Sequence, residues 1–495
     1  MKAKKERSQL QKLISRLTSE RFVLLVSFLV LFVFSSLVFY LLKNWDMVVR
    51  ILNARHMFEG GYYYEPMRAV FESFVIGLFS FISSSYAVYI FILFTSIVFL
   101  ISVFYLAKIM KLNFPFLFMF LLSPFILFYG IKNGSDLLVI AFLILYVSAI
   151  MKEKPVFAGV FLALAFLSKS YALIFSPLLL FLLWGKDMKG VFKFFVAALV
   201  AIAALIPYFI YNFLEYGNFI YSIGMSYLYF HIFSSYVSLS ISLAHFESIP
   251  LIGFLEVIFP LALLAYFYLR DRSSFYAKLV KNKKEYSIIV AACVLSFVVY
   301  FSVSNILQAT GLSIFRFMLP LSVFLYILAF SFFRRKEMKF VYIIFIISVA
   351  IAVVFLISNL TSAFHISYAE QAVSLFNSVY SGRCTVASNE WVYLDYLGLY
   401  AVPYQPYQNY SGAILNFGSF NTSLPLIKKQ GNLYLYGLKN CSYYPSIFMS
   451  RTYYVMQQEN IMNNACYWIF GINPRIEPLY SLCNSTNSFL RGVFK

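Results

Sequence analysis

Eight ionisable side chains fall within 27 residues of the stretch KNWDMVVRILNARHMFEGGYYYEPMRAVFES: Asp46, Arg50, Arg55, His56, Glu59, Glu65, Arg68 and Glu72. Asp46 comes directly after a long apolar run, which sets its carboxylate at the outer edge of a bilayer. A carboxylate there, reachable from lipid and from water, could take a proton from an incoming hydroxyl. Residues 46–58 fit a helix lying along the membrane surface, ended by Gly60 and Gly61. The plainer alternative is structural: Asp46 caps that helix and pairs with Arg50 four residues on.

Three further polar positions interrupt apolar sequence, where charge is costly. SPFILFYGIKNGSDLL places Lys132 and Asp136 at the outer end of the third apolar run. FLALAFLSKSYALIFSP places Lys169 at an outer turn between two short runs, and GLSIFRFMLP places Arg316 at the start of the tenth. Either cation could snorkel to lipid phosphate, or hold the phosphate of a lipid-linked substrate. Tyr62, Tyr63 and Tyr64 could stack on a sugar, although an aromatic belt at the membrane interface is the commoner explanation.

The elements that must position these groups follow from composition. The chain has 495 residues, 62% apolar and only 12% charged. A soluble chain of this length would form several domains with about a quarter of its residues charged. These proportions exclude a soluble enzyme and a disordered chain. Eleven long apolar spans are legible, near 22–43, 86–107, 114–130, 137–151, 156–168, 171–184, 194–213, 250–269, 287–303, 317–333 and 341–358. Several are shorter than the roughly 20 residues that cross hydrocarbon unaided, and so need protein or water beside them.

With a cytoplasmic N-terminus, the inner segments hold 24 of the 39 Lys and Arg against 7 acids. The formal charge of +19 therefore reports positive-inside topology, and no nucleic-acid partner is implied. The charged start and long first apolar run read as an uncleaved signal-anchor.

An odd number of spans leaves the C-terminus outside. Four of the five cysteines, Cys384, Cys441, Cys466 and Cys483, lie in that last part and allow up to two disulfides in three pairings. Glycosylation sequons cluster there too, at Asn359, Asn409, Asn421, Asn440 and Asn484, and the sixth, Asn133, lies in a loop also placed outside. The expected fold is thus an α-helical polytopic membrane protein of about 11 transmembrane helices over 1–358, including a first external loop of about 44–85. An extracytoplasmic mixed α/β domain follows over 359–495. In it, RCTVASNE reads as strand and turn, WVYLDYLGLY as a helix, and NLYLYGL and ACYWIFG as strands.

The order of these features resembles the GT-C superfamily of polytopic glycosyltransferases, which use polyprenyl-phosphate sugars. The matching stretches are WDMVVRILNARHMFEGGYYYEP, MRAVFESFVIGLF, SPFILFYGIKNGSD, GVFLALAFLSKSYALIFSPLLLFLLW, YNFLEYGNFIYS and RFMLPLSVFLYILA. EPMRAVFES is similar to mannosyltransferase branches acting on lipid-linked or anchor glycans. The resemblance implies a dolichyl- or polyprenyl-phosphate hexose donor, a glycan, lipid-linked or protein acceptor, and inverting transfer on the extracytoplasmic side. Asp46 matches the family's catalytic Asp. On that reading Lys169, Arg316, Arg50 and Arg55 are the candidates for the donor phosphate, while Asp136, Glu65 and Arg68 orient the acceptor.

The first loop contains no DXD, and Glu390-Trp391-Val392-Tyr393 is not a WWDYG signature, so an oligosaccharyltransferase catalytic subunit is not expected. The histidines and cysteines show no zinc spacing, so neither a metal nor a cofactor is expected. A flippase of lipid-linked glycans, or a non-catalytic subunit of a glycan assembly complex, is the rival reading. No duplication of halves supports the former.

Overall fold

The computed structural model describes residues 19–61, 64–66, 68–132, 136–184, 188–226, 249–307, 314–362, 366–380, 384–403, 413–418, 424–437, 466–471 and 475–494. Its first helices are α1 (Glu20–Leu42), α2 (Trp45–Glu59), α3 (Val70–Ser80), α4 (Ala87–Met110), α5 (Phe114–Leu121) and α6 (Pro124–Lys132). Next come α7 (Asp136–Met151), α8 (Pro155–Ser168), a 3₁₀ stretch Ser170–Leu183, and the long α9 (Met188–Tyr216). After α10 (Ile249–Arg270), α11 (Arg272–Lys281) and α12 (Lys283–Leu307), a short 3₁₀ turn Ile314–Met318 leads into α13 (Leu319–Phe330) and α14 (Met338–Ser362). The remainder is α15 (Ile366–Asn377), β1 (Thr385–Ser388), α16 (Trp391–Tyr396), β2 (Tyr400–Pro403), β3 (Ala413–Phe417), β4 (Leu426–Gln430), β5 (Leu433–Gly437) and α17 (Glu477–Val493).

The chain divides into two compact units. One comprises Met1–Tyr40, Tyr89–Leu205 and Ser240–Thr361; the other comprises Leu41–Val88, Ile206–Leu239 and Ser362–Lys495.

All eleven apolar stretches of the sequence fall on helical structure, but they are not eleven equal spans. Among the described residues, five helices are long and apolar enough to cross a bilayer, or six if a bent pair counts as one. That pair is α5 and α6, inclined at 70°. Pro124 explains the break: it lacks an N–H and drives Ser123 out of helical geometry. The Ser123 hydroxyl then accepts the N–H of Ile126 at 3.3 Å, which restarts the helix as α6. A second interruption separates α8 from the following 3₁₀ stretch, where Lys169 is fully extended at φ −156°. Several apolar helices long enough to span a membrane are the signature of a multi-pass membrane protein.

In the first unit, α8 and α9 approach closely at Gly159. A Cβ there would stand 2.4 Å from the Ala197 carbonyl oxygen and 2.9 Å from the Ala201 nitrogen. Backbone atoms cannot swing aside as a side-chain end can. Gly159→Ala should therefore destabilise the protein by about 1–3 kcal/mol, the usual cost of overpacking. Thermal unfolding in detergent reads this, and an unchanged midpoint would refute the close packing.

The second unit holds a five-stranded sheet of order β2-β1-β3-β5-β4. β1 runs parallel to β2 and β3, while β5 pairs antiparallel with β3 and β4. The alternation of NLYLYGL and the short apolar run of CTVAS thus become β5 and β1. β4 is the exposed edge and carries Lys428 and Lys429, which discourage pairing with another chain. ACYWIFG, expected as a strand, is instead a helical turn over Tyr467–Gly471. A run this short and apolar does not separate strand from helix by periodicity, and Cys466 is tied by a disulfide to Cys483 on α17.

The helix expected over 46–58 is α2, and its apolar residues pack on protein. The buried Val48, Val49 and Leu52 of α2 join a core with Trp391, Val392, Leu394, Phe376 and Leu435. Trp45 meets Trp391 edge-on at 5.0 Å and Tyr393 at 5.7 Å. The apolar face of α2 is spent on the α/β layer.

Candidate active site

Lys43, with φ 37°, turns the chain out of α1, an uncommon conformation for a residue with a side chain. The turn sets Asn44 to cap α2, its side-chain oxygen accepting the Asp46 N–H at 3.0 Å. Asn44 is therefore the cap, in place of Asp46, which sits in the first turn where the helix dipole favours a negative charge. Nor does the Asp46 carboxylate pair with Arg50. Arg50 donates to the Asp46 backbone carbonyl at 2.9 Å, and its guanidinium lies 3.8 Å from the buried Glu72.

Among the described residues the Asp46 carboxylate pairs with Arg68, at 2.6 Å from Oδ1. Arg68 also reaches Glu65 Oε2 at 2.8 Å, so one guanidinium joins two acids. The returning loop is stitched to α2 by Asn53, which accepts the Glu65 N–H at 2.8 Å and donates to the Glu65 carbonyl at 3.0 Å. Gly60, with φ 69°, permits the left-handed turn that ends α2 and makes this return possible. The side chains of Asp46 and Arg68 keep 17% and 18% exposure, against 3% and 0% for Arg50 and Glu72. The accessible edge of the cluster is thus the Asp46–Arg68 pair. Arg55 faces the 391–396 segment, donating to the Tyr396 carbonyl at 3.1 Å with its guanidinium 5.2 Å from the Tyr396 ring. Tyr64 is buried, so it belongs to no aromatic belt: it stacks on His56, and the Tyr211 hydroxyl donates to its oxygen at 3.2 Å. Tyr62 and Tyr63 lie outside the described residues.

Close to the start of α2, α16 supplies groups that the sequence did not single out. Burial holds the Tyr393 phenol above its ordinary range, and the charges of Glu390 and Asp46 push the same way. Burial raises the Glu390 carboxyl to about 7, and raises that of Asp395 against the opposing hydrogen bond from the Ala401 N–H. Glu390 thus keeps its proton in the folded state between its ordinary value of 4.5 and about 7, while the unfolded chain has lost it. Stability tied to this proton is complete below pH 4.5 and declines as pH rises toward 7. Glu390→Gln should raise the unfolding temperature at pH 8 and flatten the slope that wild type shows between pH 5 and 7. A variant with the wild-type slope would show that Glu390 titrates normally.

In the first unit, Asp136 opens α7 and is buried, with Lys169 Nζ 2.9 Å from its Oδ1. Its other oxygen has no hydrogen-bond partner among the described residues. Lys169 is therefore not a lone snorkelling cation. Its ammonium lies 5.9 Å from the Phe317 ring, and the Arg316 guanidinium lies 5.2 Å from the same ring. Lys169 and Arg316, far apart in sequence, thus share one aromatic neighbour. Lys132 instead donates to Asn359 at 2.6 Å, and the Asn359 amide donates to the Phe355 carbonyl at 2.9 Å.

Asn484 is exposed on α17. Asn133, Asn409, Asn421, Asn440 and Cys441 lie outside the described residues. Cys466 and Cys483 are paired, and Cys384 is also disulfide-bonded.

The sequence reading missed Glu256. It is buried within α10, and Ser322 donates to it at 3.3 Å. The signal was available, since an acid in the middle of the apolar run IGFLEVIFPL calls for an explanation. Among the described residues, no three His, Cys, Asp or Glu side chains gather as a metal site would require.

The fold and the clustered charges define a multi-pass membrane protein with an acidic and basic site at its first loop. Residues 62–280 match the sequence model of glycosyltransferase family 87, a little under half of the chain. The match makes the protein a glycosyltransferase, a transferase enzyme, in agreement with its GT-C-type resemblance. Glu65, Arg68, Asp136 and Lys169 lie inside the matched stretch, and Asp46 and Arg316 lie outside it. No curated protein matches the chain.

Proposed function

We propose that this enzyme transfers a mannose-like hexose from a polyprenyl-phosphate donor to a glycan, lipid-linked or protein acceptor, with inversion and without a metal. In the proposed topology about eleven spans leave the N-terminus cytoplasmic, and the first loop and C-terminal domain lie on the extracytoplasmic side. The observation that carries the reading is the Asp46 carboxylate: it stands in the first turn of α2, partly exposed, and is held by an arginine that a second acid also grips.

In the proposed reaction Asp46 accepts the proton of the acceptor hydroxyl, and that oxygen attacks the anomeric carbon. The bond from this carbon to the phosphate oxygen breaks, and its electron pair leaves with the polyprenyl phosphate. Lys169 and Arg316 stabilise the charge that develops on the phosphate. Arg68 and Glu65 set the orientation of Asp46, and Asp136 that of Lys169. Arg50 and Arg55 are weaker candidates for the phosphate, since each already faces a protein group.

The test is an assay of purified enzyme with polyprenyl-phosphate hexoses and mixed glycan acceptors, with and without a chelator. The expected product carries the inverted anomer, at a rate the chelator leaves unchanged. Use of nucleotide sugars alone would overturn the donor assignment.

A further inference from the structure

The last helix, α17, has three faces. The first is fixed to the protein. Cys483 is bonded to Cys466, and Asn487 accepts the Phe219 N–H at 3.3 Å and donates to the Cys466 sulfur at 3.1 Å. Arg491 donates to the Gly217 carbonyl at 3.3 Å, and Phe494, just beyond the helix, meets Phe213 at 5.6 Å. The second face is polar and exposed: Ser481, Asn484, Ser485 and Ser488. The third is apolar and equally exposed. Leu479, Leu482, Phe489 and Val493 recur at helical spacing along it, and Phe489 is 70% exposed.

Three of these anchors, at Phe213, Gly217 and Phe219, belong to one place, the end of α9 and the turn after it, and Cys466 is tied to the same turn by the Asn218 amide, which donates to its sulfur at 3.5 Å. α9 is among the helices long and apolar enough to cross a bilayer. In its final turns Ile206, Ile210 and Leu214 form an exposed apolar row. The bonds to 217–219 therefore staple an amphipathic helix to the mouth of a span, and the disulfide ties that helix to the 466–471 turn beside it. The helix that bears the bare apolar row is thus held at the end of a helix whose own last turns expose an apolar row.

We propose that α17 is an interfacial anchor whose Leu479, Leu482, Phe489 and Val493 face enters the headgroup–acyl boundary of the bilayer at the end of α9. The occupant is phospholipid. A surface helix of this kind gains its binding from buried apolar area while its polar face remains in water. Asn484 lies on that watery face, so a glycan carried there would not obstruct docking. The inference depends on α9 being a span and is independent of the donor assigned above.

The experiment uses the full-length enzyme in liposomes of phosphatidylcholine and phosphatidylglycerol. An environment-sensitive fluorescent amino acid is placed at 482 or 489, and at 488 as the aqueous control. Blue-shifted emission at 482 and 489 is expected, with quenching by shallow spin-labelled lipid and protection from iodide. Residue 488 should show the reverse. Equal iodide access at all three positions would overturn the proposal. So would protection at 482 and 489 without quenching by the spin-labelled lipid, because a protein surface, a second copy included, would then be the cover. All three positions are exposed, so the labels disturb no core packing.

Discussion

Asp46→Asn lowers glycosyl transfer by about 10²- to 10⁴-fold, the usual worth of a positioned base. The same variant leaves the fold intact for a geometric reason. Arg68 can still donate to the amide oxygen, and it keeps Glu65, 2.8 Å away, as its second partner. The α2 cap is untouched, since Asn44 bonds to the Asp46 backbone. The check is turnover and unfolding temperature measured on one preparation. Turnover within a few-fold of wild type would remove Asp46 from the chemistry. A collapse of stability alongside activity would leave its carboxylate with a structural role only.

The second large effect concerns Lys169, and the obvious variant misleads. Lys169→Met strands the carboxylate of Asp136, which is buried and, among the described residues, has one oxygen already without a hydrogen bond. Removing one partner of a buried pair typically costs about 3–5 kcal/mol. A lost donor signal in this variant would therefore mix unfolding with chemistry. Asp136→Asn combined with Lys169→Met removes both charges, and stability should largely return. Donor use should not return, because the phosphate has lost its ammonium. Near-wild-type donor kinetics in the double variant would exclude Lys169 as a phosphate ligand, whatever the stability of the single one.

What could be read from the sequence follows the range of each signal. Apolar runs are a local pattern, and each of the eleven read from the sequence lies on helical structure, whereas α3 and the polar α11 were not among them. Such runs could not tell a crossing from a broken or short helix, because the bend at Pro124 interrupts no hydropathy. β1 and β5 were legible from their apolar residues and bounding turns, whereas ACYWIFG carries a pattern that strand and helical turn share. Asp46 was legible as a carboxylate just past a span, but its partner was not. Arg68 lies 22 residues away and is brought back by Gly60 and by the Asn53 bridge to Glu65. The choice of Arg50 as partner followed helical spacing, which places it near the Asp46 carbonyl and not near its carboxylate. Phe317, the ring neighbouring Lys169 and Arg316, had no signal among 58 phenylalanines.

The burial of α2 among Phe376, Trp391 and Leu435 has a consequence for biosynthesis. The ribosome delivers Asp46 in the first tenth of translation, yet the residues that seat its helix emerge only after 370. Contacts so distant along the polymer form late. A nascent chain halted before its final quarter could thread its helices into the bilayer and still be inert. C-terminal truncation should thus silence the enzyme from the opposite end of the gene.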